Sequence, residues 1–161
     1  MNPFLITGPA AISFSGGRTS GLMLRRVLDA HAGALPSNVH VTFSNTGKER
    51  EETLRFVEDC GTRWGVAIHW LERAPGPHRG RSHADRFREV SFATASRHGE
   101  PFDQLINERT YLPNVVTRFC TQELKIRTMA HYMRSCGYEH WVNVVGLRAD
   151  ERGRVSNALA S

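Results

Sequence analysis

The stretch "AISFSGGRTSG", residues 11–21, runs from an apolar segment straight into glycines and hydroxyls. Ser15, Thr19 and Ser20 offer hydroxyl groups. Gly16 and Gly17 let the backbone turn sharply, so that its amides can converge on one point. A helix starting at this cluster adds the partial positive charge of its N-terminus. Amides, hydroxyls and helix end together make an anion site, most naturally for phosphate. A turn that merely requires glycine is the competing reading. Several familiar loops are excluded. No lysine follows the glycines as in G-x-x-x-x-G-K-S/T, and Arg18 stands where G-x-G-x-x-G needs its second glycine. A G-x-S-x-G nucleophile elbow is also absent.

Such a loop needs a strand before it and a helix after it, and the sequence supplies both. Residues 11–15 read as a buried strand. Gly17 to Ala30 reads as a helix with Met23, Leu24, Val27 and Leu28 on one side. "VHVTFS", residues 39–44, alternates and is β-branched, so it reads as a second strand. Thr46 and Glu49 then have capping-box spacing, ahead of a helix that places Leu54, Val57 and Trp64 on one face. "VAIHWL", residues 66–71, reads as a third strand. This β-α-β-α-β order predicts an α/β fold with a mainly parallel sheet. After a Pro/Gly/Arg loop over 73–83, the pattern predicts a helix from Asp85 to His98. It then predicts irregular chain over "TYLPNVVTRFC" and a helix over 121–135 with Leu124, Met129 and Met133 inward. A last strand ending at Gly146 and a loop or frayed tail complete the reading. In such a sheet, ligands bind beyond the carboxyl ends of the strands, which is where the glycine cluster falls.

Composition sets the outer bounds. The 161 residues suit one domain, with 40% hydrophobic and 23% charged residues. No apolar run approaches the ~20 residues that span a bilayer, and the first ten residues lack a basic leader. A cytoplasmic protein with no membrane partner is expected. The net charge of +5 is carried almost wholly by arginine, whose planar fork suits phosphate and sulfate, although compositional bias gives the same count. Nucleic-acid binding has no support in a basic run interleaved with aromatics. Three dispersed cysteines, Cys60, Cys120 and Cys136, argue against a zinc ribbon or an iron–sulfur cluster. His78 and His83 sit in the Arg-rich loop, but no H-x-H or H-E-x-x-H spacing appears, so no metal site is expected on the histidines.

Four segments carry a resemblance. "SFSGGRTSG" resembles the PP-loop, S-G-G-x-D/T-S, of the ATP pyrophosphatases and the phosphoadenosine phosphosulfate (PAPS) reductases. "FSNTGKEREETLRFV" is similar to that family's N-T-G-x-E-x-x-E-T-L segment. "TRFCTQELKIRTM" is similar to its R-x-C-T-x-x-L-K-I segment, and "VVGLRADE" to its G-x-R-x-D/E-E. The four occur in the family's order between residues 11 and 151. The resemblance implies a three-layer, Rossmann-like fold of the adenine nucleotide α-hydrolase type. It further implies ATP or PAPS as the bound nucleotide, with Mg²⁺ bridging phosphate oxygens.

Carried over residue by residue, the resemblance makes Ser15, Gly16, Gly17, Thr19 and Ser20 the phosphate cradle. Arg18 either reaches the anion or is simply solvated. Asn45 and the end of strand two are candidates for the nucleoside side, with Thr46 and Glu49 read as a helix cap. Arg118 and Lys125 match basic residues that handle the anionic end of the substrate; a pair on the surface of a helix start is the plainer reading. Gly146 and Arg148 supply a further anion contact. Cys120 is a candidate nucleophile whose pKa Arg118 would lower, against the alternative of a small buried hydrophobe. Two departures bear on the chemistry. Thr19 stands where many pyrophosphatase members carry aspartate. No E-C-G-L/I-H segment with the reductases' cysteine is present. The chain is therefore expected either to adenylate an acceptor, to work with a separate thioredoxin-like thiol protein, to bind nucleotide without turnover, or to be shortened.

Overall fold

A computed structural model of the protein describes residues 1–110 and 121–160. Its strands form one five-stranded sheet. β1 (Ala10–Ser13) lies between β2 (Val39–Ser44) and β5 (Val142–Val145) and is parallel to both, with Ile12 opposite Val41 on one side and Val144 on the other. β3 (Ile68–Arg73) extends the parallel set, and β4 (Phe87–Val90) closes the edge antiparallel to it, pairing Val90 with Trp70. The protein is thus α/β with a mostly parallel sheet.

Both faces of the sheet are covered, and the alternation of side chains along β1 shows how. Ala10, Ile12 and Phe14 face α1 (Arg18–Ala30) and α2 (Glu51–Trp64), packing with Leu24, Val27, Leu28, Leu54 and Val57. Ala11 faces the other way, toward Leu71 and the Met129, Tyr132 and Met133 side chains of α4 (Arg127–Ser135). A strand buried on both faces reads as a continuous apolar run, which is why "AAI" lacks polar alternation. Each fully buried leucine in these layers contributes about 1.5–3 kcal/mol of burial. Leu124, Met129 and Met133 are buried as the periodicity predicts.

Several expectations need correction. The capping box does not start α2: the helix begins at Glu51 with Arg50 at its N-cap, and Thr46 Oγ1 instead donates to Glu49 Oε1 at 3.3 Å. The expected helix over 85–98 is a short 3₁₀ turn (His83–Arg86) followed by β4 and a Ser91–Thr94 turn. Phe87 and Val90 are spaced like a helical pair, but the open edge of β3 captures the segment as a strand. α3 (Glu100–Arg109) is a helix beyond those expected, and it carries local signals: Pro101 in the first turn and acids at Glu100 and Asp103. The helix expected over 121–135 opens with a π-helical turn, Gln122–Ile126, and the polar tail forms α5 (Arg152–Ala160). Most of the segment expected to be irregular, residues 111–120, lies outside the described residues.

Candidate functional site

The turn between β1 and α1 is held from inside by Ser20. Its hydroxyl is buried and accepts from the Ser15 amide at 3.2 Å and from Ser15 Oγ at 3.0 Å, while donating to the Gly17 carbonyl at 3.0 Å. Ser15, Gly17 and Arg18 remain exposed. Among the described residues, the amides of Gly16, Gly17, Arg18 and Thr19 meet no acceptor. No side chain among the described residues caps α1, so its first-turn donors are left for another acceptor. Gly16 has φ +79°, and a Cβ there would lie 2.6 Å from Thr53 Cγ2 and 3.1 Å from Val57 Cγ2. The turn can therefore press onto α2 only as glycine.

The loop's position follows from the topology. From β1 the chain steps to β2, β3 and β4 on one side, whereas β5 lies on the other. The order reverses at β1, so the carboxyl ends of β1 and β5 mark the switch point of the sheet, where ligands bind in open α/β folds. The residues ending β5 meet the loop there: a Cβ on Gly146 would lie 3.1 Å from Ser20 Cα and 3.2 Å from the Thr19 carbonyl. Sequence segments 126 residues apart thus touch backbone to backbone, because position 146 has no side chain.

The other candidate residues fall as follows. Lys125, on the π-helical turn, points to the β2–α2 junction with Nζ 3.9 Å from Glu49 Oε1. Arg148 is exposed; its Nε lies 3.1 Å from Asp150 Oδ1, and its amide donates to Glu151 Oε2 at 3.1 Å. That amide, together with Arg154, holds the Glu151 carboxyl below the usual range. Asn45 does not face a ligand with its amide. Both amide hydrogens are used, by Glu72 Oε2 at 2.7 Å and the Ser96 carbonyl at 2.9 Å, and its Oδ1 accepts from the Gly47 amide. The strand end is occupied too: the Asn45 amide donates to Leu71, and the Thr46 carbonyl accepts from Phe102. Arg118 and Cys120 lie outside the described residues.

Sequence reasoning missed two features. The first is Glu72, 1% exposed, which gathers Asn45, the Ser96 amide and hydroxyl, and Arg88 around one carboxylate. A lone glutamate in an apolar strand, "IHWLER", was its only sequence signal. The second is a cleft of about 760 Å³ between the His83–Arg86 turn, the end of β3 and α4. His78 and His83, noted in the sequence only as lacking metal spacing, line it together with His131. None of the loop residues does.

The fold and the loop define an α/β protein with an open turn at the switch point of its sheet. Comparison with known proteins adds relatives but no function. No family model matches the chain. It is 29% identical, over 146 residues, to an uncharacterized nin region protein of Escherichia phage lambda, a match covering 89% of this chain and 49% of that protein. It is 40% identical, over 63 residues, to an uncharacterized protein of Methanocaldococcus jannaschii, covering 39% of this chain and 12% of that protein. The chain thus spans about half of the phage relative and a smaller part of the archaeal one. No helix among the described residues is long and apolar enough to cross a membrane.

Proposed function

We propose that the chain is a PP-loop, adenine-nucleotide-binding enzyme of the PAPS reductase-like group, with a Rossmann-like fold. It cleaves ATP between the α- and β-phosphates to adenylate an acceptor. The observation that carries this reading is the set of amides at Gly16, Gly17, Arg18 and Thr19 that meet no acceptor among the described residues, at the end of a central parallel strand and beside Gly146, just past β5. Four donors without an acceptor at a helix start favour a phosphoryl group over a neutral ligand. In the step itself, an acceptor nucleophile attacks the α-phosphorus. The bond from that phosphorus to the bridging oxygen breaks, and pyrophosphate leaves. The loop amides and Lys125 stabilise the charge that accumulates on the departing oxygens, and their fixed placement avoids reorganisation during reaction. The loop offers hydroxyls and amides without a carboxylate, which suits magnesium carried by the nucleotide's own phosphate oxygens. Bound in that way, the ion would supply charge neutralisation of the pyrophosphate.

The test is a thermal-shift panel of ATP, AMP, PAPS and adenosine phosphosulfate with and without Mg²⁺, followed by product assays. A ligand that binds only the folded state raises the melting temperature by mass action. ATP-dependent stabilisation with pyrophosphate release in the presence of an acceptor is the expected result. Sulfite release from PAPS with a thioredoxin-like protein would reassign the enzyme to sulfonucleotide reduction. Binding without either product would make it a nucleotide-binding module, and no stabilisation by any of the four would refute the reading.

A further inference from the structure

The cleft on the α4 face has an unusual charge balance. Its lining holds five arginines against two glutamates, with three histidines between them. Both glutamates are already committed. Glu108 takes the fork of Arg73 at 3.2 and 2.9 Å, and the buried Glu123 takes Arg109 at 2.8 Å and Arg127 at 2.6 Å. The Arg73 side chain is only 7% exposed, and its Nε has no hydrogen-bond partner among the described residues, lying 3.8 Å from Glu123 Oε2. Arg86 and Arg134 have no carboxylate partner among the described residues. Arg86 Nε donates to the Arg81 carbonyl at 3.0 Å, and Arg134 stands 5.7 Å from the Trp141 ring.

Three imidazoles join these two guanidinium groups. His83 and His131 stack, with ring centroids 5.3 Å apart and their Nδ1 atoms 3.0 Å apart, so one ring must donate and the other accept. His78 sits edge-on to His131 at 5.9 Å and donates through Nε2 to the Ala74 carbonyl at 2.9 Å. Burial, then the charges of Arg86, His83, His78 and Arg134, push the His131 pKa down to about 4. Burial likewise lowers His78, and Arg73 and Arg86 add to this while Ala74 and Glu123 oppose it. Positive groups thus surround His131 and add to the burial that disfavours its charged form. The opening is of the size that takes a small polar ligand.

We infer that this cleft is a second anion site, separate from the β1–α1 loop, that binds a multiply charged phosphate group through Arg86, Arg134 and the His78–His83–His131 cluster. Arginine forks and imidazolium donors match phosphate oxygens in geometry and charge. Two sources present this chemistry: a free polyphosphate-type anion and the backbone of a nucleic-acid strand.

The experiment titrates inorganic tripolyphosphate by calorimetry at matched ionic strength into the wild type, Gly17→Val and the double variant Arg86→Ala/Arg134→Ala, with all arginine variants made in the Gly17→Val background so that the loop does not contribute. Saturable binding should persist in Gly17→Val and weaken by about tenfold or more per arginine in the double variant. If the double variant fails to fold, Arg86→Lys/Arg134→Lys keeps the charge and loses the fork, and should still weaken binding. Affinity should also rise from about pH 7.5 to about pH 5.5, because a bound anion restores the proton on His131, and His131→Gln should flatten that rise. A single-stranded oligonucleotide that displaces tripolyphosphate identifies a strand backbone as the source, and one that does not identifies a free anion. Absence of saturable binding, loss of binding in Gly17→Val, or undiminished affinity in both arginine variants would overturn the inference.

Discussion

Replacing Gly16 with alanine tests the geometry of the β1–α1 turn directly. Two costs follow from the structure. Alanine at φ +79° occupies the left-handed region, worth about 1–2 kcal/mol for an L residue. Its Cβ would also stand 2.6 Å from Thr53 Cγ2, an overlap of the kind that costs about 1–3 kcal/mol when a packed region must shift. Together these remove about 2–5 kcal/mol from a fold whose whole stability is of order 5–15 kcal/mol. For a chain of this size the melting temperature should fall by roughly 5–15 °C. The two terms separate in a double-mutant cycle. Thr53→Ala removes the obstructing methyl, so Gly16→Ala/Thr53→Ala should recover the overlap term and keep the backbone term. Denaturant unfolding of the four proteins measures both. A Gly16→Ala loss below about 1 kcal/mol, or a double variant no more stable than additivity predicts, would refute the claim that this turn is pressed onto α2.

Gly17 is the contrasting case. It has φ −91° and ψ 165°, which valine adopts readily, and an added Cβ would meet only Ser15 Oγ at 3.6 Å. Gly17→Val should therefore melt within about 2 °C of wild type yet lose ATP binding, and unchanged ATP affinity would remove the loop from the site. Glu72→Ala strips the buried carboxylate from Asn45, Ser96 and Arg88 and should cost about 3–5 kcal/mol by denaturant unfolding. Arg88→Ala takes a cation from the buried carboxylate but leaves the Asn45 and Ser96 donors on it, so it should cost less than Glu72→Ala. The depressed His131 pKa gives a pH signature. Between pH 6.5 and about 4 the unfolded chain binds the proton and the folded one resists it, so stability falls as pH drops through that window. His131→Gln should reduce that slope, whereas the lowered Glu51 and Glu108 carboxyls contribute below pH 4.5 and leave it unchanged.

The chain by itself determined the elements whose signals are local. The strand–glycine–helix unit at 10–30, the second strand at 39–44 and the inward face of Leu124, Met129 and Met133 all rest on side-chain periodicity, which neighbouring residues impose on each other. The Ser/Gly/Thr cluster was legible for the same reason: a turn needing bare backbone must be built from particular residue types. Only the tertiary structure decided the rest. Phe87–Val90 became a strand because the edge of β3 lacked a partner, and Thr46 lost its capping role because α2 begins further on. Asn45 was drawn inward by Glu72, a carboxylate 27 residues away that burial compels to collect donors. The meeting of Gly146 with Thr19 and Ser20, and of His78 and His83 with His131, depends on strand order and layer packing. Those contacts join distant parts of the chain, and no local pattern encodes which distant surface a residue will meet.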